Sequence, residues 1–332
     1  MKRDSGIRMM TLAVVALLAG VLPASHTTAK PDGPKAILVT GASSGIGRNI
    51  AETLAAAGHF VYAGARKDKD LAELDAIPNI DGIRLDVTVA ADIEAAVAYV
   101  REQGRGLYGI VNNAGVAVFS PMNEIPERDI DFVFDVNIYG PYRINKAFAP
   151  LLTESGGRTT TIGSISGFLA GPRGGTYSMS KFAIEAYTDA YAEEMKASGV
   201  HVSVVEPGGY KSRIREKVLM HALGTTAADT ASLGDEEKQT LQSMIARNAN
   251  LKEPDEVSAA VLRALFDESP HRRYMVTPNE QEAEMTIMAA LSRVVQLNTD
   301  QPYSYDRDKL VAMLDELLAE VQEAAPVELQ KN

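Results

Sequence analysis

Seven short apolar runs, separated by longer stretches of helical periodicity, constrain this chain more than any other feature. They fall at residues 35–40, 60–64, 82–86, 109–112, 158–162, 201–205 and 273–276. Each is continuously apolar rather than alternating, the pattern of strands buried on both faces of a parallel sheet. The intervening segments, such as residues 93–100, are amphipathic. Repeated strand–helix units predict an α/β fold: a doubly wound sheet of about seven parallel strands with helices on both faces. A chain of 332 residues, 45% of them hydrophobic, is long enough to bury such a core. It has no internal repeat and no low-complexity linker.

Three segments break the rhythm. Residues 1–29 carry Lys2, Arg3 and Arg8, then an apolar run over 9–22, then small residues. That order is the pattern of a secretory signal, and the run is shorter than the ~20 residues that span a bilayer. Export to a periplasm or the exterior, or attachment to a membrane, is therefore expected. A cytoplasmic location follows instead if translation starts further along. Residues 210–251 form a long excursion at the carboxyl end of the sixth strand, where a lid over a ligand is expected. Residues 281–332 read as a helical C-terminal extension beyond a strand–helix region of 35–280. Met285, Met288, Leu291 and Val295 share one helical face there, as do Leu310, Met313, Leu314, Leu317 and Val321. Such stripes suit core or oligomer packing.

Charge and composition exclude several functions. The formal net charge is -11, which opposes a nucleic-acid partner, since that binding neutralises phosphates. With no cysteine, disulfides, thiolate nucleophiles and cysteine metal sites are absent. None of the five histidines forms an HxxxH or HExxH pair, so no metal site is expected.

Directly after the first run comes Thr40-Gly41-Ala42-Ser43-Ser44-Gly45-Ile46-Gly47, opening a helix that reaches to about Ala57. Glycines there permit a tight turn and close backbone approach, and the helix N-terminus receives a pyrophosphate. The position between strand and helix makes the motif informative. Gly41-Ala42-Ser43-Ser44-Gly45 also satisfies the GxSxG elbow of serine hydrolases, but follows the first strand with no His-Gly-Gly motif before it. The second run ends in Ala63-Gly64-Ala65-Arg66-Lys67, with no acid before Asp68. An acid at this point would bind the ribose of NAD, whereas Arg66, helped by Lys67 or Arg48, suits the 2′-phosphate of NADP. NADP is expected, with NAD as the alternative.

Tyr177 and Lys181 stand four apart, on one face of a helix. A tyrosine of pKa ~10 is too weak a base at neutral pH, and a neighbouring ammonium lowers that value. The pair can then give or take a proton. Ser164, thirteen residues earlier at the end of the fifth run, offers a hydroxyl to a carbonyl oxygen. Asn137 falls on a predicted helix forty residues before Tyr177.

Taken together, the residues resemble the classical short-chain dehydrogenase/reductase family. The match runs through Thr40-Gly41-x3-Gly45-x-Gly47, Asp86-Val87, Asn112-Asn113-Ala114-Gly115, Asn137, Ser164, Tyr177-x3-Lys181 and Pro207-Gly208. It covers about residues 35–280 and implies a Rossmann-type domain moving a hydride between NAD(P)(H) and an alcohol/carbonyl pair. In that resemblance Tyr177 is the acid/base, and Lys181 binds the nicotinamide ribose and lowers the tyrosine pKa. Ser164 orients substrate, and Asn137 holds a water in a proton relay. Gly41, Ser43, Ser44, Gly45, Ile46 and Gly47 cradle phosphate. Asp86 and Val87 meet the adenine, and Asn113, Ala114 and Gly115 line the cofactor bed. Pro207, Gly208 and Ser212 flank the nicotinamide. Residues 182–186 and 204–208 look like the retinol, steroid and 3-hydroxybutyrate dehydrogenase branch, which hints at a lipophilic or small hydroxy/keto substrate. The family usually forms dimers or tetramers through helices flanking the active site, so a homo-oligomer is expected. A non-catalytic dinucleotide-binding protein on the same fold is the remaining alternative.

Overall fold

The computed structural model describes residues 33–224 and 233–324, with side chains to Val321; the expected leader over 1–29 lies outside the described residues. From Pro34 onward the described chain forms one unit. Seven parallel strands make one sheet: β1 (Ala36–Val39), β2 (Phe60–Ala65), β3 (Ile80–Arg84), β4 (Gly109–Asn112), β5 (Arg158–Ile162), β6 (His201–Pro207) and β7 (Arg273–Val276). Their order is 3-2-1-4-5-6-7, and every neighbouring pair is parallel. The expected α/β class, strand number and two-faced burial are all present.

The apolar runs are continuous because both faces are covered. On β1, Ile37 and Val39 enter one core with α1 (Gly45–Ala56) and α9 (Asp255–Phe266). Ala36 and Leu38, pointing the other way, enter a second core with α3 (Ala90–Glu102) and α5 (Gly140–Ser155). Leu38 sits level with Tyr62 and Ile110 on the neighbouring strands. The remaining helices of the sheet layers are α2 (Asp68–Asp75), α4 (Glu127–Phe134) and α6 (Gly175–Met195).

Three boundaries differ from expectation for physical reasons. β3 runs over 80–84 rather than 82–86, because Asp86 turns the chain: its Oδ1 accepts from the Thr88 N–H at 3.0 Å and the Thr88 hydroxyl at 2.7 Å. The helix expected around Asn137 is interrupted by a π turn, Asp135–Tyr139. Pro141 has no N–H to give to the Asn137 carbonyl four residues back, so the regular ladder cannot pass this point. The excursion over 210–251 is largely helical, with α7 (Ile214–Ala222) and α8 (Asp235–Ala249). Met220, Leu233 and Leu241 give it a small core of its own. Two further helices close the described chain, α10 (Glu280–Asn298) and α11 (Arg307–Ala324). No described helix is long and apolar enough to cross a membrane.

Candidate active site

The strand order reverses between β1 and β4, and the carboxyl ends of these strands open into a cleft of about 800 Å³. One end of the cleft is the glycine loop. Gly41 adopts φ +66°, and a Cβ there would lie 2.8 Å from Ala114 Cα. At Gly47 a Cβ would lie 2.2 Å from Asn113 Nδ2 and 2.6 Å from the Gly41 carbonyl oxygen. No larger residue fits between these backbones. Asn113 fastens the loop: its amide donates to the carbonyls of Thr40 and Gly41 at 3.0 and 3.1 Å. The Thr40 hydroxyl accepts from the N–H groups of Asn113 and Ala114, both at 3.0 Å. Thr40 is therefore part of the loop's frame, a role that its place at the end of a buried run conceals.

The other end of the cleft carries the hydroxyls. Ser164 lies two residues past β5 and opens a tight 3-10 turn, its Oγ accepting from the Ser166 N–H at 3.1 Å. Tyr177 stands on the first turn of α6. Burial holds the Tyr177 phenol above its ordinary pKa, and the neighbouring Ser164 hydroxyl opposes that rise. The Phe119 ring stands edge-on to Tyr177, with centroids 6.2 Å apart. Lys181, one turn further along α6, places Nζ 5.6 Å from the Tyr177 ring centre. Its ammonium donates to the Ile162 carbonyl at 2.8 Å. Burial brings the Lys181 pKa down to about 8, and Glu185 opposes the fall.

The structure brings together on the cleft wall Gly41, Ser43, Ser44, Gly45, Ile46, Gly47, Arg66, Asp86, Val87, Asn113, Ala114 and Gly115. Ser164, Tyr177, Lys181, Pro207, Gly208 and Ser212 complete the wall. Arg66 approaches Asp86, with Nη1 3.4 Å from Oδ2. Asn137 stands apart: it is buried and does not line the cleft. Its side chain clamps Val116, accepting from the N–H and donating to the carbonyl, both at 2.9 Å. It also donates to the Ser180 hydroxyl at 2.9 Å, which in turn donates to the Tyr177 carbonyl at 2.7 Å. Ser180 thus ties Asn137 to the catalytic helix turn, a link that its spacing three residues after Tyr177 could have revealed.

Lys217, on α7, is a cleft residue that sequence reasoning missed. Burial lowers its pKa, Arg213 and Arg66 add to the fall, and Glu216 and Asp70 oppose it. Nothing in a polar helix pattern signals such a role. No histidine lines the cleft; His221 instead faces Asp129 and stacks on Phe132. The hydrolase alternative therefore lacks a base near Ser43, and no group of described residues forms a metal site.

Behind Lys181 lies a buried acid pair. Glu185 and Glu206 each keep one buried oxygen without a donor among the described residues. Two carboxyls in contact share one proton rather than both ionising. Burial and the Glu185 carboxylate accordingly push the Glu206 carboxyl well above its usual range, despite Arg273, whose Nε lies 3.7 Å away. A carboxyl whose pKa is raised on folding binds its proton more tightly in the folded state. Its contribution is complete below the ordinary carboxyl pKa and is lost as pH rises toward the raised value. Glu206→Gln keeps a donor to Glu185 but cannot ionise. Between pH 5 and 8 the wild-type Tm is expected to fall further than the variant's, by about 2–4 °C for each kcal/mol involved. Parallel melting curves for the two proteins check this.

A doubly wound sheet with a glycine loop after β1 and a Tyr-x-x-x-Lys turn across the cleft defines a dehydrogenase-type dinucleotide fold. The family model for short chain dehydrogenase matches residues 35–223, and the chain belongs to that family. It is 37% identical over 186 residues to the mitochondrial D-beta-hydroxybutyrate dehydrogenase of Rattus norvegicus, covering 53% of this chain and 54% of that one. The chain thus spans about half the length of that relative. Over 245 residues it is 31% identical to the oxidoreductase YbbO of Escherichia coli, covering 73% and 86% of the two chains. Among solved structures, a short-chain dehydrogenase from Streptomyces avermitilis matches with TM-score 0.64 and 26% identity. That match covers 80% of this chain and 96% of the other.

Proposed function

We propose that this chain is an NAD(P)-dependent oxidoreductase that interconverts an alcohol and a carbonyl compound. One observation carries the reading: the Ser164 and Tyr177 hydroxyls, with Lys181 one turn along the same helix as Tyr177, share a cleft with the glycine loop. The loop fits a dinucleotide, because Gly41 and Gly47 leave a cradle that any Cβ would fill. When bound, the nicotinamide supplies or accepts the hydride.

The chain's own residues position the reactants and move the proton. The N–H groups opening α1 hold the pyrophosphate between Gly41 and Gly47. Asp86 and Val87 meet the adenine, and Asn113, Ala114 and Gly115 bed the dinucleotide. Pro207, Gly208 and Ser212 flank the reacting ring. Ser164 donates to the substrate oxygen, and Tyr177 passes its proton to that oxygen in reduction and takes one back in oxidation. For the second direction the phenol must fall from its burial-raised pKa. Lys181, engaging the cofactor ribose, brings its positive charge to bear on that phenol. Asn137 steadies the Tyr177 turn from outside the cleft, through the Ser180 hydroxyl. Phe119, Leu169 and Met285 give the substrate end an apolar wall, which favours a lipophilic carbonyl compound. The excursion over 210–251, whose Ser212 and Arg213 stand at the cleft, serves as its lid. The same proposal divides the chain into a signal peptide or N-terminal anchor over 1–29, a catalytic region over 35–280 and a C-terminal extension over 281–332.

NADP is the preferred cofactor, because Arg66, Arg213 and Lys217 gather at one end of the cleft in an otherwise acidic protein. Direct titration with NADPH and NADH tests this. Arg66→Ala is expected to weaken NADPH binding about tenfold or more, on the ~1.5–3 kcal/mol scale of a hydrogen bond to a charged group, and to leave NADH within twofold. Equal binding of NADPH by wild type and variant overturns the assignment of Arg66. Failure of the wild type to bind either dinucleotide overturns the proposed function.

A further inference from the structure

The last two helices carry a surface that the reading above leaves without a use. Thirteen of the 23 large apolar side chains exposed in the described chain lie on α10 and α11, each keeping 39% to 78% of its surface. On α11 no residue from Arg307 to Val321 is buried, and only Leu310 is half-buried. An 18-residue amphipathic helix that buries nothing in its own protomer gains little from folding there, since helices in proteins are stabilised mainly by packing an apolar face.

The pattern on α11 specifies what covers it. Leu310, Leu314, Leu317 and Val321 follow alternating spacings of four and three, the repeat of a helix–helix seam. Val311, Met313 and Leu318 widen that seam on both sides, which suits a helix packed against two others rather than one. α10 offers a matching face. It is fastened to the body by one side only: Thr286 is buried, the Glu282 carboxylate accepts from the Gly209 N–H at 2.7 Å, and Arg293 donates to the Phe168 carbonyl at 2.5 Å. Met288, Leu291 and Val295 stay exposed away from these anchors.

We propose that α10 and α11 pair with α10 and α11 of a second copy of this chain, forming an intermolecular helical bundle. A standard stable interface buries ~800 Å² per partner, the scale that continuous apolar faces on two helices of 19 and 18 residues supply. An apolar face that packs on its own copy about a two-fold axis is complementary to itself. A membrane surface is the poorer occupant. The polar sides of the two helices carry Glu280, Glu284, Asp308, Asp315, Glu316 and Glu320 against Arg307 and Lys309. Helices that lie on membranes carry lysine and arginine there instead. Because Glu282 and Met285 of α10 line the cleft, the pairing braces one of its walls.

Sedimentation of the full chain tests the pairing. The wild type is expected to sediment as a dimer or larger even assembly, and Leu314→Glu/Leu317→Glu is expected to halve its mass. A monomeric wild type, or an unchanged mass in the double variant, overturns the proposal. The absence of cysteine allows a second test that leaves the surface apolar. With a short bis-maleimide, Leu317→Cys is expected to cross-link into dimers, whereas Tyr142→Cys on α5 is not. Cross-linking through Tyr142→Cys with none through Leu317→Cys places the interface elsewhere and overturns it. So does co-sedimentation of the wild type, but not the double variant, with phosphatidylcholine/phosphatidylglycerol vesicles.

Discussion

Tyr177→Phe is expected to lower turnover by about 10²–10⁴-fold, the range a positioned general acid or base contributes. Little else should change. The ring remains, with its edge-on contact to Phe119 and the Lys181 ammonium beyond it. The hydrogen bond from the Ser180 hydroxyl to the Tyr177 carbonyl is untouched. Only the phenolic hydroxyl beside Ser164 is lost. Dinucleotide affinity should therefore match wild type, so that the loss lies in kcat rather than in binding. Turnover within a few-fold of wild type contradicts the assignment of Tyr177 as acid/base. A parallel loss of cofactor binding would show that the residue shapes the site rather than moves a proton.

Gly47→Ala acts on the opposite end of the cleft and by a different route. The new methyl would stand 2.6 Å from the Gly41 carbonyl oxygen, a backbone atom, and 2.2 Å from the Asn113 amide nitrogen. That amide cannot swing aside without releasing the carbonyls of Thr40 and Gly41. Overpacking of this kind costs ~1–3 kcal/mol, and the loop must shift where the pyrophosphate would lie. NADPH affinity is expected to drop by about 100-fold, roughly 2.8 kcal/mol, because the displaced N–H groups no longer converge on phosphate. Gly171→Ala, with nothing within 4 Å of a Cβ, is the control and should melt with wild type. Unimpaired NADPH binding by Gly47→Ala would remove the glycine loop from the cofactor site.

Strand–helix alternation was legible because burial on both sheet faces writes a continuous apolar run, as with Ile37 and Leu38 entering opposite cores. The cleft residues were legible for a related reason: chemistry at strand ends sits in short motifs next to those runs. What could not be read depends on three-dimensional company. Asp86 falls beyond β3 because its own side chain turns the chain through Thr88. Asn137 sits on a π turn because a proline four residues later has no N–H, and its amide is spent on Val116 rather than the cleft. Lys181 meets the Ile162 carbonyl, a backbone group that no residue pattern records. Glu206 reads as an ordinary acid before Pro207, and only burial against Glu185 raises its pKa. The apolar stripes of α10 and α11 were visible as periodicity, but a pattern cannot say that the protomer leaves them uncovered.

Isotope transfer tests the hydride reaction most directly. The wild-type chain is incubated with NADPH deuterated at the nicotinamide C4 and a panel of lipophilic aldehydes and ketones, and the alcohols are analysed by mass spectrometry. One deuterium on the carbinol carbon, on one face of it, is the predicted result, lost together with turnover in Tyr177→Phe. Alcohol formed without deuterium from either C4 position, or no reduction of any carbonyl compound by a chain that binds the dinucleotide, would contradict the account.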